Sequence, residues 1–137
     1  MPHVEVDGLA LNVDRYGMGP PVVLLHGFTG SRTSWYDSVR AIEGEFTTLS
    51  VDLIGHGWSG SPPTVERYEM SRAVADLVTM VRKIGFERAI WVGYSLGGRT
   101  ALQLAIEHPD AVSALVLEGA SPGLATPKER ADRIAAD

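Results

Sequence analysis

The chain has no cysteine among its 137 residues, so neither a disulfide nor a thiolate metal site is open to it. Its four histidines, His3, His26, His56 and His108, are too scattered to suggest a zinc site, and no metal is expected. Long apolar runs are also missing, and none approaches the ~20 residues that a membrane span requires. The opening "MPHVEVDG" lacks the charged-then-apolar pattern of a secretory signal. Basic residues are in the minority, 12 Lys and Arg against 17 Asp and Glu, and they form no run that could track a phosphate backbone. These absences argue against nucleic acid and membrane as partners and predict a soluble, cytoplasmic protein.

What is present fits one globular domain. A chain of this length buries roughly two thirds of its unfolded surface, enough for one core and not for two. Hydrophobic residues make up 45% and charged residues 21%, and the fifteen glycines and eight prolines are dispersed rather than gathered into a low-complexity tract.

The segment "VEVDGLALNVDRYG" alternates apolar and polar residues around Asp7-Gly8, which predicts an antiparallel hairpin over residues 4–16. Four short apolar runs follow: Val22 to Leu25, "TTLSVDL" at 47–53, "AIWVGYS" at 89–95 and "SALVLEGA" at 113–120. Such runs suit strands covered on both faces. Between them the spacing predicts helices over 35–42, with Ser34 as N-cap, over 69–84, ending at Gly85, and over 96–107, stopped by Pro109. A hairpin followed by alternating buried strands and helices predicts an α/β fold with a mostly parallel sheet flanked by helices.

Two glycine motifs need separating. "GHGWSG" at 55–60 matches a dinucleotide fingerprint in spacing, but it runs into "SPPT" instead of opening a helix, so it reads as a structural turn. "GYSLGGRT" at 93–100 has the spacing of a phosphate loop with arginine in place of lysine, yet three of its four crest positions carry side chains. The same residues contain G-x-S-x-G between a strand and a helix. That is the turn that lifts a serine nucleophile above a sheet, with Gly93 and Gly97 leaving room around it.

Ser95 is therefore the candidate catalytic residue. A helix beginning beside it points free N–H groups at a reacting oxygen, which makes the Leu96 N–H one oxyanion donor. The loop "HGFTGS" at 26–31, after an earlier strand, supplies the second, the Phe28 N–H.

Taken in order, "LLHGF", "VDLIGHGWS", "VGYSLGG" and "HPDAVSALVLEGA" resemble the first half of an α/β-hydrolase-fold enzyme, across essentially all of residues 1–137. Within that superfamily, "GYSLGGR", "LEGASPGL" and the following "ER" and Arg133 resemble the succinyl-hydroxy-cyclohexadiene-carboxylate (SHCHC) synthases of menaquinone biosynthesis. That resemblance implies elimination of pyruvate from an enol-pyruvyl-type precursor, with serine and histidine acting as base and without a cofactor. It implies that Arg99 and Arg133 meet carboxylates of a polycarboxylate substrate and that Tyr94 lines the pocket. Arginine suits this role because its planar fork holds a carboxylate with two hydrogen bonds. The synthases often carry glutamine after "PGL", where this chain has Ala125.

The family order is serine, then acid, then histidine, and the only histidine after Ser95 is His108. If 96–107 is one helix, His108 lies about 20 Å from Ser95 at ~1.5 Å per residue. His26, His56 and His3 are read as structural. Glu118 ends the strand after the nucleophile helix, and it is expected to sit behind the reacting groups rather than to act as the acid. The lid and C-terminal strands of the family are expected to be absent, with 126–137 starting a lid helix from Thr126 and Pro127. The strand at 113–120 would then be an open edge, inviting a second copy or a complementing chain. A carboxylesterase or C–C bond hydrolase, and a catalytically silent self-associating fragment, stand as alternatives.

Overall fold

The computed structural model describes residues 3–120 and Lys128. Asp7 and Gly8 take positive φ angles of 48° and 77°, the paired left-handed geometry of a two-residue hairpin turn. They join β1 (His3–Val6) to β2 (Leu9–Tyr16), as the sequence predicts. The apolar runs become β3 (Pro21–Leu25), β4 (Thr47–Val51), β5 (Ala89–Tyr94) and β6 (Val112–Glu118). Helices α1 (Tyr36–Ile42), α2 (Met70–Ile84) and α3 (Leu96–Glu107) connect them. The strands form one sheet in the order β1-β2-β4-β3-β5-β6, antiparallel through β2 and parallel from β4 to β6.

Both faces of the central strands are covered, which is why β3 and the start of β5 are apolar without alternation, while β4 buries Thr47, Thr48 and Ser50 with their hydroxyls donating to backbone carbonyls. Val23, Leu25, Leu49, Val51 and Trp91 pack with Val74, Leu77 and Val81 of α2 and with Ala101 and Leu104 of α3. On the opposite face Val22 and Leu24 meet Trp35 and Val39, with Ile90 and Val92 partly buried beside them. Trp91 is fully buried, and its indole N–H donates to the Ala111 carbonyl at 3.0 Å, so its one polar atom is satisfied inside the core.

One predicted cap moves. Ser31, not Ser34, is the N-cap: it opens a 3-10 turn, Arg32–Trp35, that leads into α1. The Ser31 hydroxyl accepts from the Thr33 N–H, and the Ser34 hydroxyl accepts from the Ser31 N–H, a reciprocal box that starts the helical chain one turn earlier. The other ends match expectation, with Gly85 closing α2 at φ 121° and His108-Pro109 closing α3.

The two edges of the sheet are treated differently. Carbonyls along β1 and its turn are capped by side chains, with Lys83 on Glu5 and Arg67 on Val6 and Asp7. Among the described residues no strand pairs with the outer side of β6, and Val116 there is 50% exposed. Arg133 and the predicted lid helix lie outside the described residues, Lys128 apart.

Candidate active site

The turn between β5 and α3 holds Ser95 at φ 51° and ψ −110°, a conformation that a residue with a side chain adopts only under external constraint. The constraints are visible. The Ser95 N–H donates to the Glu118 carbonyl at 2.9 Å, which ties the turn to the end of β6. One helical turn on, the Arg99 N–H donates to the Ser95 carbonyl at 2.9 Å, so α3 begins at the serine itself. The flanking glycines make the turn sterically possible, because a Cβ at Gly93 would overlap the Gly97 carbonyl and one at Gly97 would overlap the Leu25 and His26 carbonyls. The N-terminus of α3 is thereby pressed against the end of β3, and its unpaired N–H groups collect beside Ser95.

The loop after β3 forms the other wall. A Cβ built on Gly27 would stand 2.9 Å from the Tyr94 ring and 3.6 Å from Ser95 Cβ, so this glycine lets the loop approach the serine closely. Phe28 follows it, 74% exposed, with its ring edge-on to His56 at 5.8 Å. A cavity of about 440 Å³ opens between this loop and the strand ends, lined by residues 26–30, by Ser34, Trp35 and Ser38, and by Tyr94 and Glu118. Phe28 and Tyr94 thus share the cavity. Ser95, Leu96 and Arg99 are not among its lining residues; Ser95 adjoins it through its neighbours Tyr94 and Gly27. Arg99 is exposed on the first turn of α3 and makes no ion pair among the described residues. Arg133 is not described.

None of the histidines serves Ser95. His26 is 1% exposed; the Leu53 N–H donates to its Nε2 at 3.0 Å, which places the ring proton on Nδ1, and Nδ1 donates to the Gly27 carbonyl at 2.7 Å. Both nitrogens are committed: Nε2 ties the end of β3 to the end of β4, and Nδ1 holds the loop that follows β3. Burial lowers its pKa below the usual histidine value and the nearby His56 adds to this, while the bond to Gly27 and the charge of Asp52 oppose it. His56 bonds the Ile54 carbonyl and packs its ring 4.9 Å from that of His26. His108 caps the far end of α3, where its N–H donates to Leu104, and His3 lies on the opposite edge strand. Among the described residues no group of three or more His, Asp or Glu could hold a metal ion.

A second cluster, which the sequence reading missed, sits beneath the site. The Asp52 carboxylate is fully buried and accepts from the Arg32 N–H at 2.7 Å, Arg32 Nη1 at 3.0 Å, Asn12 Nδ2 at 2.9 Å and the Trp58 N–H at 2.9 Å. Burial alone would raise its pKa, but these hydrogen bonds and the Arg32 charge outweigh it and hold the carboxylate below its ordinary range. Arg32 also pairs with Asp14 at 2.8 Å and stacks on Trp58 at 4.8 Å. Gly57, at φ 51°, folds so closely over Asp52 that a Cβ there would overlap the carboxylate. The "GHGWSG" turn is therefore structural, as predicted, and Asp52 is its organiser. Glu118 is the other surprise: it faces the cavity, where the sequence had suggested a place behind the reacting groups.

Comparison with known proteins agrees with this arrangement. The family model of the alpha/beta hydrolase fold matches residues 20–136. The chain is 42% identical over 116 residues to the 2-succinyl-6-hydroxy-2,4-cyclohexadiene-1-carboxylate (SHCHC) synthase of Pectobacterium atrosepticum, covering 84% of this chain and 44% of that protein. It is 40% identical over 116 residues to a Bacillus subtilis protein named for the same activity, covering 85% and 42%. Among solved structures, an epoxide hydrolase of Vigna radiata superposes with a TM-score of 0.81 at 30% identity, covering 85% of this chain and 37% of the other. The chain spans less than half the length of these relatives. With its family model matched over most of its length and the strand–turn–helix arrangement in place, the chain belongs to the α/β-hydrolase-fold family.

Proposed function

We propose that residues 1–137 carry the nucleophile side of a serine-dependent enzyme that eliminates pyruvate from a polycarboxylate precursor, as an SHCHC synthase does. The observation that carries this reading is the combination on α3: a strained Ser95 at its start and, on its first turn, an exposed Arg99 with no ion pair among the described residues, in a chain 40–42% identical to such synthases. In this scheme a histidine takes the Ser95 hydroxyl proton, the alkoxide so formed takes the substrate proton as the carbon–oxygen bond to the enol-pyruvyl group breaks, and the departing enolate is protonated from the imidazolium to leave as pyruvate. The Leu96 and Phe28 N–H groups steady the developing oxyanion at the positive end of α3. Arg99 and Arg133 receive carboxylates, and Tyr94 lines the pocket. No histidine of residues 1–137 reaches Ser95, so the histidine and its acid come from polypeptide beyond these residues, in the same or another chain.

Titration calorimetry of wild type and Arg99→Ala tests the assignment. A charge-assisted hydrogen bond contributes about 1.5–3 kcal/mol, so the variant is expected to lose roughly 10- to 150-fold in affinity for the polycarboxylate precursor and nothing for a neutral aryl ester. Equal effects on both ligands would sink the carboxylate role and favour a carboxylesterase or C–C bond hydrolase. The open outer edge of β6 supports a second reading, a silent self-associating module. Light scattering on the eluting protein separates the two: a stable oligomer that neither binds the precursor nor turns it over favours the module, and a monomer that binds it favours the enzyme.

A further inference from the structure

The cavity beside Ser95 is asymmetric in charge. Thr29, Ser34, Ser38 and the Tyr94 phenol give it neutral polar groups, and Trp35 and Phe28 give it aromatic surface. Among the described residues no lysine or arginine lines it. His26, the one lining base, is buried, with Nε2 accepting and Nδ1 donating, which is the neutral form. Against this stands one carboxylate, Glu118, opposite Tyr94 in the β5–β6 register, its side chain exposed and without an ion pair among the described residues. Its main chain is anchored by the bond from the Ser95 N–H, so the base of this side chain is held next to the nucleophile turn.

We propose that Glu118 is a specificity-determining residue that excludes anionic groups from this cavity. The uncharged part of a substrate then enters the cavity, and its carboxylates stay on the Arg99 side of Ser95. The orientation half of this inference rests on the polycarboxylate reading above; the exclusion half does not. Two like charges a few Å apart in a partly hydrated site repel enough to change affinity by about tenfold, and among the described residues no lysine or arginine of the cavity wall offsets that repulsion.

The test uses two small probes of the same shape, benzamide and benzoate, added to the 137-residue chain while the backbone amide signals of residues 27–30 are followed by NMR. Wild type should bind benzamide about tenfold more tightly than benzoate, and added salt should narrow the gap. Glu118→Gln should bring benzoate to the level of benzamide and leave benzamide unchanged. Equal binding of the two probes by wild type, or an equal effect of the substitution on both, overturns the proposal. Should the variant fail to fold, the wild-type ranking and its salt dependence decide alone. A failure of the polycarboxylate reading shows separately, as an Arg99→Ala variant with undiminished affinity for the precursor while the probe ranking persists.

Discussion

Replacing Gly97 with alanine inserts one methyl group between the first turn of α3 and the end of β3, and the structure indicates what that does. The new Cβ would stand 2.5 Å from the His26 carbonyl oxygen and closer still to that of Leu25. An ordinary carbon–oxygen contact is about 3.3 Å, so α3 must retreat by roughly 1 Å. Both neighbours are backbone atoms, and they are pinned by the parallel pairing of β3 with β4 and β5 and by the two bonds of His26. The helix is therefore the part that moves. Overpacking of this kind costs about 1–3 kcal/mol. A 1 Å displacement of a reacting group also costs about 100-fold in rate, or about 2.7 kcal/mol, so the elbow suffers at least as much as the fold does in all but the upper end of that range. Urea denaturation gives the stability term, and Gly44→Ala is the control, because a Cβ there meets nothing within 4 Å and the residue does not need positive φ. Gly97→Ala should unfold at a lower urea concentration than wild type, and Gly44→Ala within about 0.5 kcal/mol of it. An unchanged midpoint for Gly97→Ala would refute the claim that α3 is pressed onto the end of β3.

Three further outcomes follow from the same geometry. Asp52→Ala removes the partner of four donors in a dry site and should destabilise by about 3–5 kcal/mol in urea melts, far more than a surface aspartate such as Asp110. Ser95→Gly should be more stable than Ser95→Ala by about 1 kcal/mol, because glycine relieves the strain at φ 51° whereas alanine keeps it; the reverse order would remove the strain argument. His26 is held neutral, with its folded pKa below the ordinary value of about 6.5, so its contribution is complete above pH ~6.5 and is lost as pH falls toward the lowered value. Urea midpoints measured from pH 8 to 5 should fall with acid in wild type and fall less steeply in His26→Gln. Asp52 adds a loss of the same sign below pH ~4, since its folded pKa is also depressed.

Much of the fold was legible because its signals are local. Asp7-Gly8 specifies its own turn, the strands at 21–25 and 89–94 carry short apolar runs that suit a doubly covered sheet, and α3 is bounded by its own glycines and Pro109. The elbow was legible for the same reason, since the small residues that Ser95 requires lie within two positions of it. The network around Asp52 was not legible: its partners Asn12, Arg32 and Trp58 come from three separate segments, and nothing near any of them marks it as buried. Ser31 was passed over as the cap because the apolar spacing of α1 starts only after the 3-10 turn that Ser31 opens. Glu118 was misplaced because its side of β6 is set by register with β5, which strand alternation alone does not reveal.

The most direct test of the central claim is pyruvate release. Residues 1–137 would be mixed with the second half of the Pectobacterium atrosepticum synthase, which supplies the sequence beyond this chain's span, and pyruvate would be followed through a coupled dehydrogenase. The account predicts release from the enol-pyruvyl precursor that disappears in Ser95→Ala and falls about 10- to 150-fold in catalytic efficiency in Arg99→Ala. Release that survives Ser95→Ala would contradict it.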